Sequence, residues 1–372
     1  MPYVLGMDGG GSKVACLAAD ERGRLLGCGR GGPVNTNYVP RPKARESLKR
    51  AMDAALEQAG LQGEQIEALC ISAPIAPEAL KKVTHELGVG HVLRAAEGET
   101  PRWAARYWID GHVGITVDAG TGSMARGWTR DGREAGAGGW GATLGDEGSA
   151  HWISIQAMIA VLQARDGRID ETMLTNTVLE HFGMSDVLDM VFQVSRGLVR
   201  SANAGQVRVA PDSGVTRSRS EETAVGGLFF RKHAAAGPLA RHEVATLAPV
   251  VARVAQQGDW KAIEILKQAG YELGRLGVAI VRRLAMEKDA FVVVPFGGVF
   301  RAGKLVLGSF RETILATARR AEVVRPRFEP VVGAVLLALN EIGVAIDSQI
   351  TGAIERSSAD LTRFIDEDAL TR

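Results

Sequence analysis

Short apolar runs separated by turn-forming residues open the chain and predict three successive β-strands. The runs cover 3–5, 14–19 and 25–28, with "GGGSK" in the first break and Asp20 to Gly23 in the second. Apolar runs bounded by glycine and aspartate are typical of antiparallel strands. A helical pattern with one apolar face follows at 45–60, and two more strands are predicted in "EALCISAP" and "HVLRAAE". The resulting order is that of an α/β domain of the RNase H-like type.

The start of this pattern occurs a second time, at residues 115–133, in "ITVDAGTGSMARGWTRDGR". In both copies an apolar strand ends in aspartate and is followed by glycines and hydroxyl residues, a further strand and a glycine turn. Asp8 matches Asp118 and Gly10 matches Gly120. An internal duplication predicts two domains of the same topology.

The remainder of the chain predicts a longer helical region within the second domain. Ser149 can cap a helix whose apolar residues, together with Trp140 and Trp152, are expected to pack in the core. A long helical stretch from His242 is expected to break near Gly258. The predicted division is a first domain at 1–112, a second domain at 113–346 with a polar insertion at 197–238, and a peripheral tail at 347–372.

The glycines at 9–11 are followed by a predicted strand, and this distinguishes the loop from other types of phosphate-binding loop. In P-loops and dinucleotide-binding turns the glycines open a helix. A glycine turn between two strands can instead present its backbone N–H groups as an anion-binding nest. Two such hairpins facing each other can hold a polyphosphate from both sides, as in the actin-like ATPase superfamily. The sequence therefore predicts two RNase H-like (actin-like ATPase) domains flanking a nucleotide cleft.

Charge and composition limit the kinds of molecule and surface that the protein is expected to bind. The formal net charge of +1 gives no electrostatic reason to expect nucleic acid or a membrane surface. No apolar run has the roughly 20 residues that a membrane span needs. The three cysteines lack CxxC spacing and are expected to be reduced thiols in strands. Without a visible secretory signal, we expect a cytoplasmic protein.

Six segments together resemble the BadF/BadG/BcrA/BcrD ATPase family, and within it the N-acetylglucosamine kinases. They are "GMDGGGSK", "NTN", "AGTGS", "GGWGATLGDEGSAHWI", "HEVATLAPVVARVAQQGD" and "PFGGVF". The similarity covers about residues 3 to 345 in order, apart from the insertion, and the fourth segment is the most specific. The resemblance implies ATP, Mg²⁺ and a sugar acceptor, and it makes a homodimer an expectation from the family alone.

The resemblance also implies roles for residues of these segments. Asp8 would help place Mg²⁺, and Glu97 would be the base that takes the acceptor proton. The residues expected to hold phosphate are Gly10, Gly11, Ser12, Lys13, Thr121 and Gly122. Those expected beside the adenosine are Gly297 and Gly298. Those expected near the sugar hydroxyls are Asn37, Gly139 and Asp146, and Trp140 could border the sugar if it is not a packing residue.

Three departures from the family pattern leave the chemistry open. The kinases carry an aspartate at the end of the last strand of the first domain, whereas this chain has Glu97 there, with Glu99 as an alternative base. Glu97 reaches one methylene further and can serve as base, bind a different acceptor or be an exposed acid. Val39 and Ala137 replace an aromatic and a cysteine of the animal enzyme near the acetamido pocket, so a hexose, another amino sugar or an anhydro sugar stays open as acceptor.

Two other kinds of function compete with a kinase. An ATPase that drives electron transfer would hold an iron–sulfur cluster between subunits through cysteine thiolates. The three cysteines all fall in predicted first-domain strands, which disfavours that function. A sensor that binds sugar or nucleotide without transfer would keep the glycine loops and lose the base, and the change to Glu97 is the feature that favours it.

Overall fold

Two five-stranded sheets organise the computed structural model, which describes residues 1–96, 98–105, 113–200 and 239–361. The strands of the first sheet are β1 (Tyr3–Gly9), β2 (Val14–Asp20), β3 (Leu25–Gly31), β4 (Ile66–Ser72) and β5 (His91–Arg94). Their order is β3-β2-β1-β4-β5, with β1 antiparallel to β2 and parallel to β4. The predicted hairpin and the two later strands are therefore confirmed.

The second sheet repeats this topology. Its strands are β6 (Gly114–Ala119), β7 (Ser123–Trp128), β8 (Glu134–Gly138), β9 (Phe291–Phe296) and β10 (Ala321–Val323). Their order, β10-β9-β6-β7-β8, again has an antiparallel hairpin on one side of the first strand and parallel strands on the other. Asp8 pairs with Ala15 and Asp118 with Met124, so both aspartates lie one pair before the hairpin turn. The duplication predicted from sequence is confirmed.

Helices cover the sheets and connect their strands. Those of the first half are α1 (Arg41–Ala59), α2 (Pro77–Glu86) and α3 (Glu99–Ala105). Those of the second half are α4 (Ala150–Arg165), α5 (Leu174–Phe182), α6 (Val187–Arg200), α7 (Arg241–Val244), α8 (Ala248–Gln256), α9 (Trp260–Leu284), α10 (Lys304–Thr317), α11 (Pro330–Glu341) and α12 (Ser348–Leu361). Within the described ranges, none is both long and apolar enough to cross a membrane.

Local signals in the sequence set several helix ends. Gly60 ends α1 in the left-handed conformation, where glycine has no steric penalty. The Ser149 hydroxyl accepts a hydrogen bond from the Trp152 N–H at 3.1 Å and caps α4. The break predicted near Gly258 separates α8 from α9, and Gly258 has a φ of 94°. These predictions are confirmed.

The last two helices return to the first sheet. Helix α11 lies in the range assigned to the second domain, yet its buried residues join a core with β1, β2 and β4. Close packing explains this position, since a Cβ on Gly6 would lie 2.4 Å from the Val335 backbone nitrogen. Helix α12 lies in the predicted peripheral tail, but Ile354 is fully buried in the same core. We therefore call the first sheet with α1–α3, α11 and α12 the first lobe, and the second sheet with α4–α10 the second lobe.

Candidate active site

The first glycine hairpin carries Asp8 at its base and Lys13 at its far side. The Gly10 N–H donates to the Lys13 carbonyl at 2.9 Å, which closes the turn between β1 and β2. Ser12 and Lys13 are exposed at the tip. The segment thus has the strand–turn–strand geometry that the sequence predicted for 6–13, and nothing occupies the space in which a Cβ on Gly10 would lie.

Asp8 is held by a hydrogen bond from the helix that follows the first sheet. The Thr100 hydroxyl on α3 donates to Asp8 Oδ1 at 2.8 Å. This contact depends on close packing of α3 on α11, because a Cβ on Gly333 would lie 1.9 Å from the Thr100 carbonyl oxygen. Desolvation raises the pKa of Asp8 to about 6, while the Thr100 hydrogen bond acts in the opposite direction.

The second glycine hairpin meets the first at its tip. The Gly120 N–H donates to the Gly122 carbonyl at 2.9 Å, so this turn closes over two residues and the first turn over three. The hydroxyls of Ser12 and Thr121 lie 2.6 Å apart, with Ser12 on the first lobe and Thr121 on the second. The structure therefore brings together the two loops that the sequence predicted to hold phosphate, and the cleft between them is closed at this point.

Asp146 is anchored to the second hairpin. Its φ of 59° lies in the left-handed region, which aspartate tolerates better than most residues. Asp146 Oδ1 accepts from the Ser123 N–H at 3.3 Å, and the Ser123 hydroxyl donates to the Glu147 carbonyl at 2.8 Å. The turn that carries Asp146, a predicted sugar-binding residue, is thus fixed relative to the second glycine hairpin.

Arg241 is a site residue that sequence reasoning missed. Its guanidinium forms an ion pair with Asp146 Oδ2 and lies 3.4 Å from the Thr121 carbonyl oxygen. Burial and the charge of Arg241 lower the pKa of His151 to about 4, so His151 is neutral at pH 7. Arg241 lies just outside the motifs found in the sequence, directly before the segment that begins at His242. Its contacts are with residues about a hundred positions earlier in the chain, so no local pattern identifies it.

Asn37 and Gly139 lie on opposite lobes. Asn37 lines a shallow cavity of about 330 Å³ whose other walls are Thr36, Arg41, Pro74, Ile75 and Ala76, all on the first lobe. The Gly139 N–H donates to the Ser123 carbonyl at 2.9 Å, which places Gly139 beside the second hairpin. The residue after Asn37, Tyr38, has its ring centroid 4.9 Å from the Arg241 guanidinium carbon, so the two halves of the predicted sugar site meet there.

The loop around Gly139 exposes large apolar side chains. Trp140 is 77% exposed and Leu144 is 83% exposed. The expectation that Trp140 packs in the core is therefore wrong, and the alternative that it borders the sugar stays a prediction. Trp152 does pack against the second core. Because this loop is rich in glycine, it has too few apolar side chains near Trp140 to bury the indole ring.

Gly297 and Gly298 follow β9 directly, where the sequence placed the adenosine. Gly297 has a φ of 98°, and a Cβ there would lie 2.4 Å from the Ala119 carbonyl oxygen. Only glycine fits this close approach of β9 to the end of β6. Nothing occupies the space in which a Cβ on Gly298 would lie, so its backbone is open to a flat ligand.

The remaining predicted residues concern the base and the cysteines. Glu97 lies outside the described residues. Cys16 and Cys70 are buried in different core clusters of the first lobe, and burial raises the pKa of the Cys70 thiol to about 12. These two thiols are neutral at pH 7, and Cys28, the third, is half-buried beside the cluster that contains Cys70.

Comparisons with known proteins agree with this geometry. The sequence profile of the BadF/BadG/BcrA/BcrD ATPase family matches residues 5–338. An N-acetylmuramic acid/N-acetylglucosamine kinase of Clostridium acetobutylicum is 27% identical over 347 residues, which cover 92% of this chain and 99% of that protein. An N-acetyl-D-glucosamine kinase of Dictyostelium discoideum is 23% identical over 365 residues, covering 90% and 97%.

A solved structure shows the same fold. The candidate N-acetylglucosamine kinase of Chromobacterium violaceum superposes with a TM-score of 0.60 at 24% sequence identity, covering 91% of this chain and 99% of that one. The actin-like ATPase fold predicted from the two hairpins is confirmed.

Proposed function

Because the chain belongs to the BadF/BadG/BcrA/BcrD ATPase family, we propose that it is an ATP-dependent kinase of amino sugars of the N-acetylglucosamine type. The meeting of the two glycine hairpins, with Ser12 and Thr121 hydroxyls 2.6 Å apart, is the observation that carries the proposal. It gives a polyphosphate two opposed loops, and Asp146 is tied to one of them. The names of both relatives supply the acceptor class.

The proposed chemistry divides between the two lobes. Phosphoryl transfer needs neutralisation of the γ-phosphate charge and an acceptor oxygen held in line. Backbone N–H groups of both hairpins and the Lys13 ammonium supply positive charge, and opening of the Ser12–Thr121 contact admits the phosphates. Asn37, Gly139 and Asp146 hold the sugar, Gly297 and Gly298 border the adenosine, and Glu97 takes the acceptor proton.

Asp8 is the proposed protein contact of Mg²⁺. This ion keeps several waters and typically takes one or two carboxylates together with substrate phosphate oxygens. Asp8 fits that need, because it is a half-buried carboxylate at the base of the first hairpin and its Oδ1 is oriented by Thr100. When bound, Mg²⁺ would neutralise charge on the phosphates.

Protonation of Asp8 is expected to set the acid side of the pH profile. Only the ionised carboxylate suits a cation, so kcat/KM for ATP should fall as the pH drops through about 6, the pKa of Asp8. The Thr100 hydrogen bond lowers that pKa, and its removal in Thr100→Val should move the acid limb upward by about one pH unit. Steady-state rates from pH 5 to 8 measure the limb.

Thr100→Ser provides the matched control for this shift. Serine keeps the hydroxyl that donates to Asp8, so its acid limb should coincide with that of the wild type. An identical limb in Thr100→Val and wild type would show that Asp8 does not control the profile.

A panel of sugars tests the proposed function. ADP release from Mg-ATP is measured with N-acetylglucosamine, N-acetylmuramic acid, glucosamine, glucose and anhydro-muramic acid derivatives. We expect one N-acetylated amino sugar to raise the rate at least about tenfold over the rate without sugar, since an acceptor converts slow hydrolysis into transfer. Equal, slow hydrolysis with every sugar would contradict the kinase and favour the ATPase or sensor.

A further inference from the structure

Arg241 occupies a nearly buried position between the predicted acceptor carboxylate and the second phosphate hairpin. Its side chain is 14% exposed and that of Asp146 is 4% exposed, so their ion pair is largely removed from water. The same guanidinium nitrogen lies within 3.4 Å of the Thr121 carbonyl oxygen. A charge held in this way fixes the orientation of its partner more firmly than an exposed pair does.

Both oxygens of Asp146 have a partner on the second lobe. Oδ2 accepts from Arg241, and Oδ1 accepts from the Ser123 N–H that starts β7. The carboxylate plane is therefore set relative to the hairpin, while each oxygen keeps a lone pair for a sugar hydroxyl. Arg241 thus links the position of an acceptor to that of the phosphate loop.

The other side of Arg241 faces the first lobe. The Tyr38 ring covers the guanidinium at 4.9 Å, a distance at which a cation and an aromatic face attract each other. Tyr38 directly follows Asn37 and its hydroxyl lies close to Gly141 of the exposed loop, since a Cβ there would be 3.4 Å from it. The contact connects the sugar-binding segments of the two lobes.

One hydrogen-bond donor of Arg241 is left unused by the described residues. Its Nε is buried and has no hydrogen-bond partner within the described part of the chain. Buried donors in a purely structural pair are nearly always satisfied. In addition, the φ of Asp146, 59°, lies in the left-handed region, which residues other than glycine adopt uncommonly.

We infer that Arg241 is a positioning residue for the acceptor: it orients Asp146 against the second hairpin and, through Tyr38, couples that orientation to contact between the lobes. This inference rests on the proposed kinase function. This role requires the planar guanidinium group of arginine. Lysine cannot fully replace it, because an ammonium group lacks both the rigid fork of N–H donors and the flat face that stacks on an aromatic ring.

The test compares Arg241→Met and Arg241→Lys with the wild type and with Arg165→Met. Arg165 pairs with Asp186 on the surface at 3.1 Å and provides a matched loss of an ion pair away from the cleft. Three quantities are measured: KM for the sugar, KM for ATP, and ADP formed per sugar phosphorylated. Thermal unfolding of each variant reports its folding.

Arg241→Met is expected to raise the sugar KM by at least about tenfold, because loss of a charged hydrogen-bond partner costs a factor of this size. KM for ATP should stay within about twofold, and ADP per phosphorylated sugar should exceed the wild-type ratio, since a misoriented acceptor leaves water to react. Arg241→Lys should fall between the two, and Arg165→Met should match the wild type.

A second pair of variants tests the link across the cleft and does not remove a buried charge. Tyr38→Leu removes the aromatic face and is expected to raise the sugar KM more than Tyr38→Phe, which keeps it. If Arg241→Met fails to fold, Arg241→Lys and the Tyr38 pair carry the test.

Each contrary result has a separate meaning. An unchanged sugar KM in Arg241→Met, or equal increases of both KM values, would overturn the positioning role and leave the kinase intact. A wild-type protein that no sugar stimulates would refute the proposed function itself, and the acceptor role of Arg241 with it.

Discussion

Asp8→Asn is expected to lower sugar-stimulated turnover at least about a thousandfold, because a metal contributes several kcal/mol of charge stabilisation and each 1.36 kcal/mol is a factor of ten. Asparagine keeps the size of the side chain and can still accept the Thr100 hydrogen bond. It lacks the charge that would help place Mg²⁺ at the first hairpin. ADP release at saturating sugar and Mg-ATP measures the loss.

Asp53→Asn is the control for this substitution. Asp53 lies on α1 and pairs with Lys49 at the surface, so its replacement should leave turnover unchanged. Titration with ATP in the absence of Mg²⁺ should give similar affinities for Asp8→Asn and wild type, since Asp8 acts on the metal. Turnover of Asp8→Asn above a tenth of the wild-type rate would exclude the proposed role.

Glu97→Gln is expected to retain ATP binding and lose phosphoryl transfer by about 10²- to 10⁴-fold, the usual contribution of a general base. The family resemblance predicts that Glu97 stands where the related kinases carry an aspartate. Glutamine keeps the length and hydrogen-bonding capacity of the side chain but cannot take a proton. The rate of sugar phosphorylation and the affinity for ATP are measured on the same preparation.

Glu99→Gln separates the two candidate bases. Glu99 is the first residue of α3, one position before the Thr100 that contacts Asp8. If Glu97 is the base, Glu99→Gln should keep at least about a tenth of the wild-type rate, because a charge at a helix start has only a modest effect. Full activity in Glu97→Gln would remove Glu97 from the mechanism, and a loss in Glu99→Gln alone would move the role there.

Local patterns made the fold and the two hairpins predictable. Strand, glycine turn and strand are encoded within about fifteen residues, and Asp8 and Asp118 mark the same point in both copies. The helix caps at Gly60 and Ser149 likewise depend only on residues close to them in the sequence, at the helix end that each one caps. Such features need no knowledge of distant contacts, because backbone hydrogen bonding and turn chemistry decide them.

Contacts between distant segments were not predictable in this way. Arg241 reaches Asp146 across 95 positions, and Thr100 reaches Asp8 across 92. Neither Arg241 nor Thr100 lies at a sequence spacing or in a periodic pattern that predicts its partner. Helix α11 shows the same limit, since its place on the first lobe involves close approaches at Gly6 and Gly333 to distant segments of the chain.

Transfer of the γ-phosphoryl group itself is the most direct test of the proposed function. ATP labelled in the γ-phosphate is incubated with the protein, Mg²⁺ and N-acetylglucosamine or N-acetylmuramic acid, and the products are separated. A kinase places the label in a sugar phosphate in amounts equal to the ADP formed. Label found only in inorganic phosphate, whichever of these sugars is present, would contradict an amino sugar kinase.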